Sequence, residues 1–256
     1  MVKPRAIILR VAGTNCDVET EWAFNLAGGI AERVHINRII EKEKKLDDYQ
    51  ILAIPGGFSF GDDIAAGKVL ANQIKFRLWE EIENFIEKKK PVIGICNGFQ
   101  VLVKSGILPW NSQQKVTLGW NDSGRFEDRW VYLKIEESRT PFLKGLPEII
   151  KLPVAHAEGK FIPQNKRVLE KLKKNKQIIF RYCNSKGEMA GYPYNPNGSI
   201  ENIAGICDET GLIIGMMPHP ERCLLKYHLP DWLREEYFEE YGYGFKIFKN
   251  MVEYFL

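Results

Sequence analysis

The chain has 256 residues, of which 45% are hydrophobic and 27% charged: long enough to bury a core and too apolar for a disordered polymer. A net charge of +3, with basic and acidic residues interspersed as in Glu41-Lys42-Glu43-Lys44-Lys45, argues against a nucleic-acid surface, and no apolar run approaches a membrane span. Five cysteines (16, 96, 183, 207 and 223) form no C-x-x-C pair and have no metal-ligand spacing; with no signal-peptide pattern ahead of Ala6-Ile7-Ile8-Leu9, free thiols in a reducing cytoplasm are expected, and no metal site.

Apolar runs alternate with helical patterns through the first half, which predicts βαβ units around a parallel sheet. Ala6–Val11 reads as a first strand, and a helix over Asp17–Ala27 stops at Gly28-Gly29. Ile51–Ile54 is a buried strand closed by Pro55-Gly56-Gly57. Ile64–Asn72 and Phe76–Lys90 read as helices, the second with Trp79, Ile82, Phe85 and Ile86 on one face. Val92–Ile95 is a third apolar strand, and a helix over Asn97–Lys104 follows Cys96. In the second half, Val131–Ile135, Ile178–Cys183, Ile203–Cys207 and Leu212–Met217 read as strands, the last two joined by a turn at Asp208-Glu209-Thr210-Gly211. Residues 184–202 read as loop and Trp232–Leu256 as an aromatic-rich helical end. With no repeat or linker, a single domain over residues 1–256 is expected.

Gly94-Ile95-Cys96-Asn97-Gly98 has the form G-x-C-x-G between a strand and a helix. A turn this tight brings the positions two residues either side of the nucleophile together, so glycine is required there. The turn exposes the thiol at the carboxyl edge of the sheet, and the helix N-terminus favours its thiolate. An inert buried cysteine is the commoner fate of a lone thiol, but it requires neither flanking glycine.

A thiol nucleophile needs a base, and the base an orienting acceptor. Two of the four histidines stand in H-x-E patterns: His219-Pro220-Glu221, directly after the apolar strand Leu212–Met217, and His156-Ala157-Glu158, in a loop after Leu152-Pro153-Val154. The rigid strand end favours His219 somewhat, without deciding the matter. Donors for an oxyanion would come from the Asn97 N–H and from the glycine loop Pro55-Gly56-Gly57-Phe58.

Taken together, Pro55-Gly56-Gly57, Gly94–Gln100 and Pro218-His219-Pro220-Glu221 resemble, in order, the blocks of the class I (triad) glutamine amidotransferase family. The resemblance implies a flavodoxin-like three-layer α/β sandwich with a mostly parallel central sheet, and a triad of Cys96, His219 and Glu221. It also implies oxyanion N–H groups at Gly57 and Asn97, and glutamine held by Gln100 and Phe58. Gly13–Asp17, Gly56–Asp63, Ser123–Glu127 and His156–Gly159 are similar to the branch that serves purine biosynthesis. There a glutaminase hands ammonia to a large ATP- and Mg-dependent synthetase acting on formylglycinamide ribonucleotide, with a small accessory subunit in the same complex. In that branch the His156 segment borders the pocket, which assigns the base to His219. No cofactor is expected in this chain, which lacks a G-x-x-x-x-G-K-[ST] loop. Cys223–Tyr243 is longer than the family's usual connection, and Thr14 stands where serine is usual. The competing readings are an amidotransferase feeding another synthetase, a cysteine hydrolase on the same elbow, and an assembly subunit with a dead site.

Overall fold

In the computed structural model, which describes residues 2–234 and 240–256, the first half of the chain alternates strands with helices. β1 (Arg5–Arg10), α1 (Asp17–Leu26), β2 (Ile30–His35), α2 (Ile36–Ile40), β3 (Ile51–Ile54), α3 (Lys68–Arg77), α4 (Trp79–Glu87), β4 (Val92–Ile95) and α5 (Asn97–Ser105) follow in order. The second half adds β5 (Val116–Gly119), β6 (Glu127–Ile135), β7 (Ile149–His156), β8 (Lys160–Pro163), α6 (Lys166–Lys174), β9 (Ile178–Cys183), β10 (Ile203–Cys207), β11 (Ile213–Met216) and α7 (Tyr243–Glu253).

The main sheet has nine strands in the order β2-β1-β3-β4-β11-β10-β9-β6-β7, and β5 pairs with β8 apart from it. From β2 to β11 every pairing is parallel; from β11 to β7 every pairing is antiparallel. The parallel half has the doubly wound order whose ligand sites lie at the carboxyl ends of the strands. β3 and β4 are buried along their whole length, which is why both read as uninterrupted apolar runs. Helices cover both faces, giving the expected three-layer α/β sandwich. α1 and α7 pack together through Phe24 and Phe248, whose ring centroids lie 5.0 Å apart at 84°. Full burial of two such rings contributes about 2–3 kcal/mol each.

Three expectations are corrected. The helix predicted over Ile64–Asn72 begins only at Lys68, because Gly67 (φ 72°) and Ile64 (φ 71°) are left-handed and residues 64–67 form bends and turns instead. His156, expected in a loop after Leu152-Pro153-Val154, is the last residue of strand β7, which carries Pro153 because it stands at the sheet edge, where a missing N–H is tolerated. Among the described residues of the predicted C-terminal span, helix covers Tyr243–Glu253; residues 226–228 form a separate short helical turn, and 235–239 lie outside the described residues.

Candidate active site

β4 ends at Ile95 and α5 begins at Asn97, so Cys96 alone turns the chain, with φ 50° and ψ −104°. Such backbone costs roughly 1–3 kcal/mol and persists only where the surroundings fix it. Here Cys96 N–H donates to Met216 O (2.8 Å), and Gln100 N–H donates to Cys96 O (3.1 Å). The flanking glycines are dictated by close approach. A Cβ on Gly98 would lie 1.8 Å from Ile54 O, and one on Gly94 would lie 2.7 Å from Gly98 O. The thiol is 4% exposed, with Sγ 3.6 Å from Ala155 O at the end of β7.

β11 is the parallel neighbour of β4, with Met216 opposite Ile95. The chain leaves β11 through Pro218 to His219, whose N–H donates to Pro153 O on β7 (2.8 Å). A short helical turn over Pro220–Arg222 then returns Glu221 to the ring, with Oε1 2.6 Å from His219 Nδ1 and both side chains buried. Burial alone would push the His219 pKa down, but the Glu221 carboxylate, and after it Cys96, hold it well above the ordinary imidazole value. With Nδ1 on Glu221, Nε2 is left without a hydrogen-bond partner among the described residues, close enough to Cys96 for the thiol to act on the ring electrostatically.

A second buried thiol flanks the same ring. Cys16 Sγ lies 4.0 Å from His219 Nδ1 and accepts from the Arg222 guanidinium at 3.1 Å. Gly56 has no room for a side chain here, since a Cβ would lie 2.8 Å from His219 Cε1. Cys16, His219 and Glu221 place ligand atoms within 4.8 Å of one another. Among the described residues they are the group able to approach a cation together, yet Arg222 on the sulfur opposes a dication there.

The loop after β3 crosses in front of Cys96. Gly57 (φ 143°) is pressed against residues 13–15, where a Cβ would lie 2.8 Å from Gly13 O, and Phe58 N–H donates to that same oxygen (2.8 Å). Among the described residues no hydrogen bond takes up the Gly57 N–H. Asn97, first in α5, has no intrahelical acceptor for its own. Gln100 is locked in the wall: its Nε2 donates to Glu158 O (2.5 Å) and its Oε1 accepts from Asn97 Nδ2 (3.0 Å). Behind it, Lys104 Nζ donates to Ala66 O (2.5 Å) and pairs with Glu158 (3.3 Å), tying the 66–67 turn to the segment after β7.

Between these walls lies a cavity of about 260 Å³, lined by Gly57, Phe58, Gly61, Asp62, Ala66, Cys96, Gln100, Trp120 and residues 155–158. Phe58 is 43% exposed at its rim, its ring 6.2 Å from that of Phe126. Thus the structure brings Cys96, Gly57, Phe58 and Gln100 to one cavity, with His219 and Glu221 behind the thiol. Of the two H-x-E candidates only the 219–221 pair is bonded internally. His156 is buried with Nδ1 3.1 Å from Asn121 Oδ1, and burial, reinforced by His219, lowers its pKa to about 3. Burial likewise pushes the thiols of Cys183 and Cys223 up to about 11 and that of Cys207 to about 12. Sequence reasoning missed Asp62, Lys104 and the Cys16–Arg222 pair. The Gly13–Asp17 and Gly56–Asp63 blocks were the signal for Cys16 and Asp62; Lys104 had none, being one lysine on a predicted helix.

A cysteine on a strand-to-helix elbow facing a buried His–Glu pair is the arrangement of a cysteine amidohydrolase. The family model described as CobB/CobQ-like glutamine amidotransferase domain matches residues 3–255, and the chain belongs to that family. The phosphoribosylformylglycinamidine synthase subunit PurQ of Dehalococcoides mccartyi is 47% identical over 258 residues, 99% of this chain and 98% of that one. Its counterpart in Archaeoglobus fulgidus is 45% identical over 267 residues, 98% and 96% of the two chains. Within the amidotransferases, the chain belongs with these PurQ subunits. In the structure of PurLQS from Thermotoga maritima, a chain 31% identical aligns over the full length of both with a TM-score of 0.76. A putative GMP synthase subunit from Thermoplasma acidophilum, 16% identical with a TM-score of 0.56, shares the fold alone.

Proposed function

We infer that this chain is the glutamine-hydrolysing subunit of a phosphoribosylformylglycinamidine synthase, releasing ammonia for the synthetase step of purine biosynthesis. The observation that carries the reading is the strained Cys96 elbow beside the buried His219–Glu221 pair, in a chain similar to PurQ subunits over its whole length.

In the mechanism we propose, the Cys96 thiolate attacks the side-chain amide carbon of glutamine. Negative charge gathers on the carbonyl oxygen, and the unused N–H groups of Gly57 and Asn97 meet it. Each such donor lowers the barrier by about 3 kcal/mol in comparable acyl transfers. His219, kept protonated by Glu221, gives its Nε2 proton to the departing ammonia. The neutral imidazole then takes a proton from water, which cleaves the glutamyl thioester and returns the thiol. Gln100, Phe58 and the 155–158 segment hold the substrate against the thiol.

The complex, on this reading, joins the chain to a large synthetase subunit that binds ATP and Mg, and to a small accessory subunit. The name PurLQS of the Thermotoga maritima assembly supports that composition. This chain itself needs no cofactor, and five free cysteines fit a cytoplasmic setting. No helix among the described residues is long and apolar enough to cross a membrane.

Reconstitution with a synthetase partner tests the proposal. Glutamine-dependent synthesis should vanish in Cys96→Ala while ammonia-dependent synthesis by the same complex continues. Retention of glutamine-dependent synthesis would refute the nucleophile, and its absence in the unaltered complex would refute the function.

A further inference from the structure

We infer that Asp62 is the carboxylate that receives the α-ammonium group of glutamine, and that it selects a free amino acid over a plain carboxamide. The inference deepens the glutaminase reading and rests on it. Glutamine carries its α-nitrogen four bonds from the amide carbon, about 5 Å away when extended. A cavity that holds the amide against Cys96 must therefore house a cation a short distance off, and a buried cation needs a counter-charge.

Three titratable side chains besides Cys96 line the cavity: Asp62, His156 and Glu158. His156 is neutral, its pKa held near 3 by burial. Glu158 is already engaged on both oxygens, Oε1 accepting from Ala66 N–H at 3.1 Å and Oε2 pairing with Lys104 Nζ at 3.3 Å. Asp62 is engaged on one. Its Oδ1 accepts from Asn97 Nδ2 (3.1 Å) and Gly67 N–H (3.4 Å), while Oδ2 has no hydrogen bond among the described residues. Among the described residues that line the cavity, Asp62 is thus the carboxylate with an oxygen not taken up by a hydrogen bond.

The backbone is bent to put it there. Phe60, Gly61 and Asp62 have φ of 56°, 72° and 55° in succession, fixed by Phe60 N–H donating to Ala12 O and Gly61 N–H to Phe58 O, both at 2.8 Å. Non-glycine residues in this region cost roughly 1 kcal/mol or more each, and such turns gather where a ligand is clamped. Burial, and then the charge of Glu158, raise the carboxyl pKa of Asp62 in the empty cavity, a strain that an arriving ammonium relieves.

The test compares two reagents on Cys96 of the full chain. The diazoketone analogue of glutamine, 6-diazo-5-oxonorleucine, carries the α-amino acid head; iodoacetamide does not. Asp62→Asn keeps an oxygen for Asn97 and Gly67 but loses the charge. It should slow labelling by the diazoketone about 100-fold and labelling by iodoacetamide by less than about threefold. An unchanged diazoketone rate, or an equal loss with both reagents, would overturn the role. A second measurement needs no variant: 4-carbamoylbutanoate, which is glutamine without its amine, should protect Cys96 of the unaltered chain about 100-fold more weakly than glutamine. Equal protection by the two would overturn the role as well. Should neither reagent label Cys96 of the unaltered chain, the glutaminase reading itself fails and this inference falls with it.

Discussion

The carboxylate of Glu221 stands 2.6 Å from Nδ1 of His219, with the two side chains 0% and 2% exposed. A pair so placed keeps its proton on the ring, because the ionised glutamate offsets the burial that would otherwise neutralise the imidazole. The folded-state pKa of His219 is therefore raised. Its stabilising contribution is complete below the unfolded value of about 6.5 and is lost as pH rises through the folded value.

Glu221→Gln should accordingly lower the His219 pKa, since burial then acts unopposed. NMR titration of the ring measures this directly, and glutaminase kcat/KM should drop by about 10²–10⁴. His219→Ala should be at least as damaging. Substitution of His156 by Asn should cost much less activity, because its ring bonds Asn121 rather than an acid. The reverse ranking would move the base to His156.

His156 carries the opposite linkage. Its pKa is near 3 in the fold and about 6.5 unfolded, so only the unfolded chain gains a proton as pH falls between those values. Stability from this group is full above pH 6.5 and declines below it, by about 2 kcal/mol at pH 5. Urea denaturation at pH 7 and pH 5 measures the loss, which should shrink in His156→Asn. An undiminished loss in that variant would place the acid sensitivity elsewhere.

Gly98→Ala should destabilise the fold by about 3 kcal/mol or more, since its Cβ would meet the backbone oxygen of Ile54 at 1.8 Å and neither chain can retreat. Gly191→Ala is the matched control: a Cβ there meets nothing within 4 Å, and its cost should stay within about 0.5 kcal/mol. Thermal melts compare the two, and Cys96 alkylation shows whether the elbow survives.

The elbow was legible because its signal is local: glycines two residues either side of Cys96 report a backbone constraint within one turn. β3, β4, β9 and β10 were legible because each is buried along most or all of its length and reads as an apolar run. β7 was not, since Pro153 breaks the pattern and only its place at the sheet edge excuses the proline. Residues 64–67, the end of the loop after β3, were read as the start of a helix for a related reason. Its shape is set by Asn97 and Glu158, partners far along the chain, and no local window contains them. For the same reason His219 and His156 could be separated from the residues alone only weakly. What divides them is that the His219 ring reaches an acid in space and the His156 ring reaches the amide of Asn121.

β4 and β11 are adjacent rungs of one ladder, so the cysteine and the histidine just beyond their ends are spaced by peptide hydrogen bonds rather than by a hinge. No domain closure has to unite them, and a partner subunit can reshape the rim of the cavity without touching their separation. Loss of turnover on heating then becomes a gauge of the middle of the sheet. The reaction centre disassembles when those two strands part; the β2 edge can fray beforehand without silencing it, whereas β7, which holds His219 through Pro153 O, cannot.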